Sequence, residues 1–180
     1  LRLFGAPLRE PDEGLRRLNS LPEAPARAAF FDCCGCAEWS RRMAARRPFG
    51  SAAQLLEAAD KSWNALGREE WLEAFRHHPP IGGRTARGKQ SATARRWSAK
   101  EQAVAQRAPR NALEALAEAN HAYESHFGYI FIVCAAGRGG EEIVTSLKER
   151  LGNDAETELR VAAEEQRKIT RLRLEKLIEP

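Results

Sequence analysis

The stretch Phe127–Gly140, FGYIFIVCAAGRGG, decides how this chain is to be read. From Tyr129 to Ala135 it is apolar without a helical period, and Gly128 stands at its start. Locally such a run reads as a buried strand. A strand needs a ladder partner for its backbone groups, and no second stretch of the chain reads as one. Two readings remain: a buried extended connector, or a helix flanked by irregular backbone.

Working outward, the rest of the chain reads as helix. Helical patterns run from Glu141 to about Leu151 and from about Asp154 to Ile178 after the stretch, and from Asn111 to His126 before it. Ser98-Ala99-Lys100-Glu101 has the form of a capping box, opening a helix that Pro109 ends. Trp71, Leu72 and Phe75 form the apolar stripe of another helix. Ser51 to Gln54 is a further capping box, and its helix buries Leu55, Leu56, Ala59 and Trp63. Trp39, Met43 and Ala44 share a face of a helix that stops before Pro48. A helix capped by Ser20 runs through Phe30 and Phe31 to Gly35. Residues 1–17 carry Gly5, Pro7, Pro11 and Gly14 and read as an irregular N-terminal segment. Residues 79–97, rich in Pro, Gly, Arg, Lys, Thr and Ser, read as a long irregular loop.

The composition agrees with an all-α fold. Ala, Leu, Glu and Arg dominate, and 180 residues suit one domain, expected as a bundle of about eight helices over residues 1–180. Twenty-nine basic and 25 acidic residues are interspersed, and the net charge of +4 makes no nucleic-acid-binding tail. No apolar run reaches the ~18 residues of a membrane span, and the N-terminus has no secretory pattern. The chain starts at Leu1 without an initiator Met, which points to a trimmed start. Four cysteines do not make a disulfide scaffold, so the expected compartment is a reducing cytoplasm.

Three groups could carry chemistry. Cys33-Cys34-Gly35-Cys36 holds one C-x-x-C step, but no second pair at ligand spacing completes a zinc site, and no βαβ setting supports a redox motif. Small buried thiols are the plainer reading. The basic stretch Arg84, Arg87, Lys89, Arg95, Arg96 and Lys100 lacks interleaved aromatics; it reads as a solvated loop, or as a field that draws in a small anion. His77-His78-Pro79-Pro80-Ile81-Gly82-Gly83 is the third. His77 suits the last turn of its helix, where a cation complements the dipole. His78 precedes a proline, so its backbone is pushed out of the α region and its side chain away from the helix. An imidazole held there suits general acid/base work, although two histidines at a helix end is the commoner arrangement. The Ser98 segment is similarly double: a helix start also presents free N–H groups to an anion.

Taken in order, FFDCCGCAEWSRRMAARRPF at 30–49, HPPIGG at 78–83, SAKEQ at 98–102, FGYIFIVCAAGR at 127–138 and ELRVAAEEQRKITRLRLEKLI at 158–178 resemble the OHCU decarboxylase family. That family acts on 2-oxo-4-hydroxy-4-carboxy-5-ureidoimidazoline, at the end of the route from urate to (S)-allantoin. The resemblance spans about residues 18–178. It implies an all-helical, usually homodimeric protein without a metal or other cofactor, which overrules a strand at 129–135. It implies catalysis by His78 and Glu101. It places substrate binding at Pro79, at Ser98, Ala99, Lys100, Glu101 and Gln102, and at Ile132, Val133, Cys134, Ala135, Ala136 and Arg138. The chain departs from the family at Cys36, where Ser is usual, and at Pro80 and Gly83, where bacterial-type sequences commonly carry Arg and Glu. The expected partner is the small carboxylated substrate, with neither nucleic acid nor membrane. A helical nucleic-acid-binding or adaptor protein is the alternative from another class.

Overall fold

The structure, a computed structural model, describes residues 13–82, 88–106 and 110–180. Among the described residues there are nine helices and no strand. They are α1 (Glu13–Ser20), α2 (Glu23–Cys34), α3 (Ala37–Ala45), α4 (Ala52–Asn64), α5 (Arg68–Arg76), α6 (Ala92–Gln106), α7 (Arg110–Phe127), α8 (Gly140–Arg150) and α9 (Ala155–Leu177).

Helix α9 is the spine. Asp154 caps it, accepting from the N–H groups of Glu156 and Thr157, and it packs against α2, α4 and α5. Around it Phe30, Trp39, Met43, Leu55 and Phe75 are sealed from solvent. Each such side chain contributes roughly 1.5–3 kcal/mol by leaving water. The indoles also find partners: Trp39 Nε1 donates to the carbonyl of Ala59 at 3.1 Å and Trp63 Nε1 to that of Ala163 at 3.0 Å.

The run 129–135 is a buried connector, neither helix nor strand, between α7 and α8, every residue of it under 9% exposed. Side chains replace the missing ladder. Arg150 Nη1 donates to the Ile132 carbonyl at 2.9 Å, and the Cys134 N–H donates to Glu165 at 2.8 Å. Arg150 is itself held by the fully buried Glu158, which also accepts from Tyr123 and Asn153. Tyr123 packs edge-on against Phe131, and Phe75 packs against Tyr129.

Three local expectations are corrected. Residues 13–17 are not irregular but belong to α1, and Ser20 ends that helix instead of capping α2; its hydroxyl donates to the Arg17 carbonyl. The start of α2 has no side-chain cap. Gly14 allows α1 to lie directly on the Ile178 carbonyl, and Arg17 donates to the carbonyls of Leu177 and Glu179 near the end of α9. The loop expected over 79–97 ends earlier. Ser91 caps α6, accepting from the Ala94 N–H at 3.0 Å, so residues 92–97 are helical and Ser98 is an interior position. Pro109 and residues 83–87 of the expected loop, with Gly83, Arg84 and Arg87, lie outside the described residues.

Candidate active site

The end of α5 separates its two histidines. His77 is the C-cap, with Nδ1 3.0 Å from the Glu73 carbonyl and its ring edge-on to Phe31. It is walled in by two glycines: a Cβ on Gly35 would lie 2.6 Å from His77 Cβ, and one on Gly88 would lie 2.8 Å from the ring. Gly35 also adopts φ of +77°, which ends α2. His78, next along, turns inward and is buried. Its Nε2 is shielded from solvent and meets no acceptor or donor at full hydrogen-bond geometry among the described residues, although the buried Gln166 side chain lies near enough to interact with the ring.

His78 faces a hollow with a polar and an apolar side. Ser98, Glu101 and Gln102 form the polar side. As interior residues at i, i+3 and i+4 they share one face of α6. That spacing, rather than a helix start, brings them together. The free N–H groups expected at Ser98 do not exist, because an interior N–H donates to the carbonyl four residues back. The apolar side is Ile81, Phe131, Ile132, Val133, Ala135 and Ile169, with Pro79 beside His78.

Charge in the site is organised by a residue that sequence reasoning missed. Arg173 of α9 donates from Nε and Nη2 to the two oxygens of Glu101 at 2.8 and 2.7 Å, and from Nη2 to Ser98 Oγ at 3.2 Å. It is only 2% exposed. The one signal was its register: Gln166, Thr170 and Arg173 fall on the buried stripe of α9, where charge is unusual. Burial works against the Glu101 carboxylate, but hydrogen bonds and charge from Arg173, with a lesser pull from Lys176, outweigh it and hold its pKa below the ordinary value. Burial, and then the Arg173 charge, push His78 down to about 3. The imidazole is therefore neutral at physiological pH.

The other polar groups are braces. Gln102 accepts from the Gly82 N–H at 3.0 Å and donates to the Pro79 carbonyl at 3.4 Å. Gln90 donates to the His77 carbonyl at 2.5 Å and to Ser98 Oγ at 3.0 Å. Together they pin the segment that carries His78 to α6.

A second hollow adjoins the first and shares Glu101, Val133, Ala135 and Ile169 with it. Lys100, Cys134 and Ala136, expected at the site, line only this outer hollow, together with Leu172 and Lys176. Ala99 is exposed and lines neither. Arg138 also lies outside both linings and reaches Glu165 at 3.4 Å.

Cys33, Cys34, Cys36 and Cys134 are free and buried, and burial raises all four thiol pKa values, that of Cys36 to about 11. Cys36 Sγ accepts from the Trp39 N–H at the start of α3, so the departure there is a cap in which sulfur takes the place of a hydroxyl. Among the described residues no group of three or more His, Cys, Asp and Glu is placed to hold a metal ion. Nor is any helix there long and apolar enough to cross a membrane. Of the basic stretch, Arg95, Arg96 and Lys100 lie exposed on α6.

Comparison with known proteins agrees with this arrangement. A family model described as OHCU decarboxylase matches residues 19–175. The chain is 40% identical over 145 residues to the uric acid degradation bifunctional protein TTL of Arabidopsis thaliana, covering 81% of this chain but only 45% of that longer protein. It is 27% identical over 161 residues to the 2-oxo-4-hydroxy-4-carboxy-5-ureidoimidazoline decarboxylase of Haloferax volcanii, covering 89% of this chain and 93% of the relative. A crystal structure of OHCU decarboxylase in the presence of (S)-allantoin superposes with a TM-score of 0.72 at 37% identity, covering 84% of this chain and 97% of the other. With the family model spanning most of its length, this chain belongs to the OHCU decarboxylase family.

Proposed function

We propose that this chain decarboxylates 2-oxo-4-hydroxy-4-carboxy-5-ureidoimidazoline to (S)-allantoin in urate degradation, with His78 as general acid/base. The observation that carries the reading is the placement of buried, neutral His78 with Ser98 and Glu101 around one hollow with an apolar floor.

The chemistry suits these residues. The substrate carries a carboxylate and a hydroxyl on one ring carbon. The C–C bond to the carboxylate breaks, CO2 leaves, and the electron pair passes into the adjacent unsaturated ring, which serves as the electron sink. An apolar floor disfavours the localised carboxylate charge and accepts neutral CO2. Neutral His78 takes the hydroxyl proton as the ring carbonyl forms, and a proton returned to one face of the ring sets the (S) centre. Glu101, fixed by Arg173, orients the ureido and ring N–H groups, and Ser98 donates to a substrate oxygen. Acid/base help of this kind contributes about 10²–10⁴-fold. From the resemblance we further expect a cytoplasmic homodimer.

The test generates the labile substrate from urate with urate oxidase and hydroxyisourate hydrolase, adds this protein, and follows circular dichroism. Accelerated appearance of optically active allantoin is expected. A trace that matches the protein-free control rejects the reading.

A further inference from the structure

The inner hollow is small for its task. It offers about 30 Å³ of space for a water-sized guest, and the outer hollow about 180 Å³. A single water needs roughly 10–15 Å³ on that measure. The inner space thus takes a carboxylate group and little more, and a ring with a ureido arm has to extend across the shared wall. The outer hollow is floored by Val133, Ala135, Ile169 and Leu172 and flanked by Lys100 of α6 and Lys176 of α9. Neither ammonium group has a carboxylate partner among the described residues, although the chain is rich in Glu–Arg and Glu–Lys pairs elsewhere. The one carboxylate on the shared wall, Glu101, is already neutralised by Arg173. An arriving anion therefore meets two positive charges and no net negative one.

A lysine in the last turn of a helix is in itself unremarkable, since it complements the dipole. Lys176 does more than that, because its charge is felt at Glu101 inside the site. We propose that the outer hollow is the anion-receiving antechamber of the active site, where Lys100 and Lys176 gather the carboxylated substrate and keep its ring and ureido arm while the carboxylate enters beside His78. Lys176 then acts on substrate capture and not on the bond-breaking step. The inference rests on the decarboxylase reading above.

Steady-state kinetics across roughly 0.02–0.3 M NaCl test it, because salt screens exposed charges at these strengths. The variants are Lys100→Gln/Lys176→Gln and Lys100→Arg/Lys176→Arg, with Lys61→Gln/Lys148→Gln as a control that removes the same charge elsewhere. For the wild type, kcat/KM should fall severalfold as salt rises while kcat holds. The first double variant should lose about tenfold in kcat/KM at low salt, keep kcat, and show a flattened salt response. The arginine pair should keep both properties, and the control should match the wild type. An active wild type whose kcat/KM and salt response survive Lys100→Gln/Lys176→Gln overturns the antechamber alone, as does a variant in which kcat falls as far as kcat/KM. A wild type with no decarboxylase activity at any salt sinks the parent reading, and this inference with it.

Discussion

Arg173 holds both oxygens of Glu101 across the interface of α9 and α6, at 2.8 and 2.7 Å, with the arginine almost fully buried and the carboxylate open to the hollow. Breaking such a pair leaves one charge without compensation. Arg173→Met should therefore destabilise the fold by about 3 kcal/mol, and Glu101→Gln by less, because the amide keeps one acceptor for Arg173. Both variants should lose most activity. Urea denaturation read beside the allantoin assay separates the two effects.

The same pair sets an acid limit. Glu101 has its folded pKa lowered, so its stabilising contribution is complete above the unfolded carboxylate range and fades as pH falls through the folded value. His78 is also lowered, to about 3, so in the folded state it resists a proton that the unfolded chain accepts near pH ~6.5. Stability should then drop progressively as pH falls from about 6.5 toward 3, by a few kcal/mol in all. His78→Gln should flatten that slope, which thermal melts at a series of pH values would reveal. The kcat/KM profile of the wild type should lack a histidine limb between about pH 5 and 7.

Removing either imidazole should have different results. His78→Ala or His78→Asn should lower kcat by about 10²–10⁴-fold with little change in fold. His77→Ala should leave the chemistry near wild type, within about tenfold, but empty the space between Gly35 and Gly88 at a cost of roughly 1–3 kcal/mol. Equal kinetic losses at the two positions would contradict the division of roles.

Gly14→Ala inverts a general rule. Alanine in a helix is ordinarily better than glycine by about 1 kcal/mol. Here the added methyl would collide with the Ile178 backbone, so α1 must lift from the end of α9. The variant should melt lower than wild type, by about 1–3 kcal/mol, with activity per folded molecule retained.

How far the sequence disclosed all this depends on the kind of residue. Amphipathic helices such as α4 and α7 announce themselves through their apolar period, and Pro79 reveals by local sterics alone that His78 leaves its helix. Helix α1 is hidden because its eight residues carry only Leu15 and Leu18 as apolar anchors beside a glycine. The first turns of α6 are hidden because Arg95 and Arg96 stand among small residues, and only Ala94 and Trp97 pack inward. A buried arginine such as Arg173 contradicts the rule that charge faces water, so periodicity assigns it to the wrong side. The gathering of Ser98, Glu101 and Gln102 is foreshadowed by their spacing, but its cause is the register of an interior helix face and not a cap.

The connector from Tyr129 to Ala135 has one more consequence. Apart from a local turn in which Ala135 accepts from the Arg138 N–H, the bonds of its backbone among the described residues run to side chains of two helices: Ile132 is held from Arg150 on α8, and Cys134 from Glu165 on α9. A wall tethered in this way cannot persist once those two helices part. Amide exchange at Cys134 should therefore follow the opening of α9 and not a local fluctuation of the segment. Catalytic competence would then be lost in the same cooperative step that unfolds the spine, leaving no partly open form that retains a working pocket.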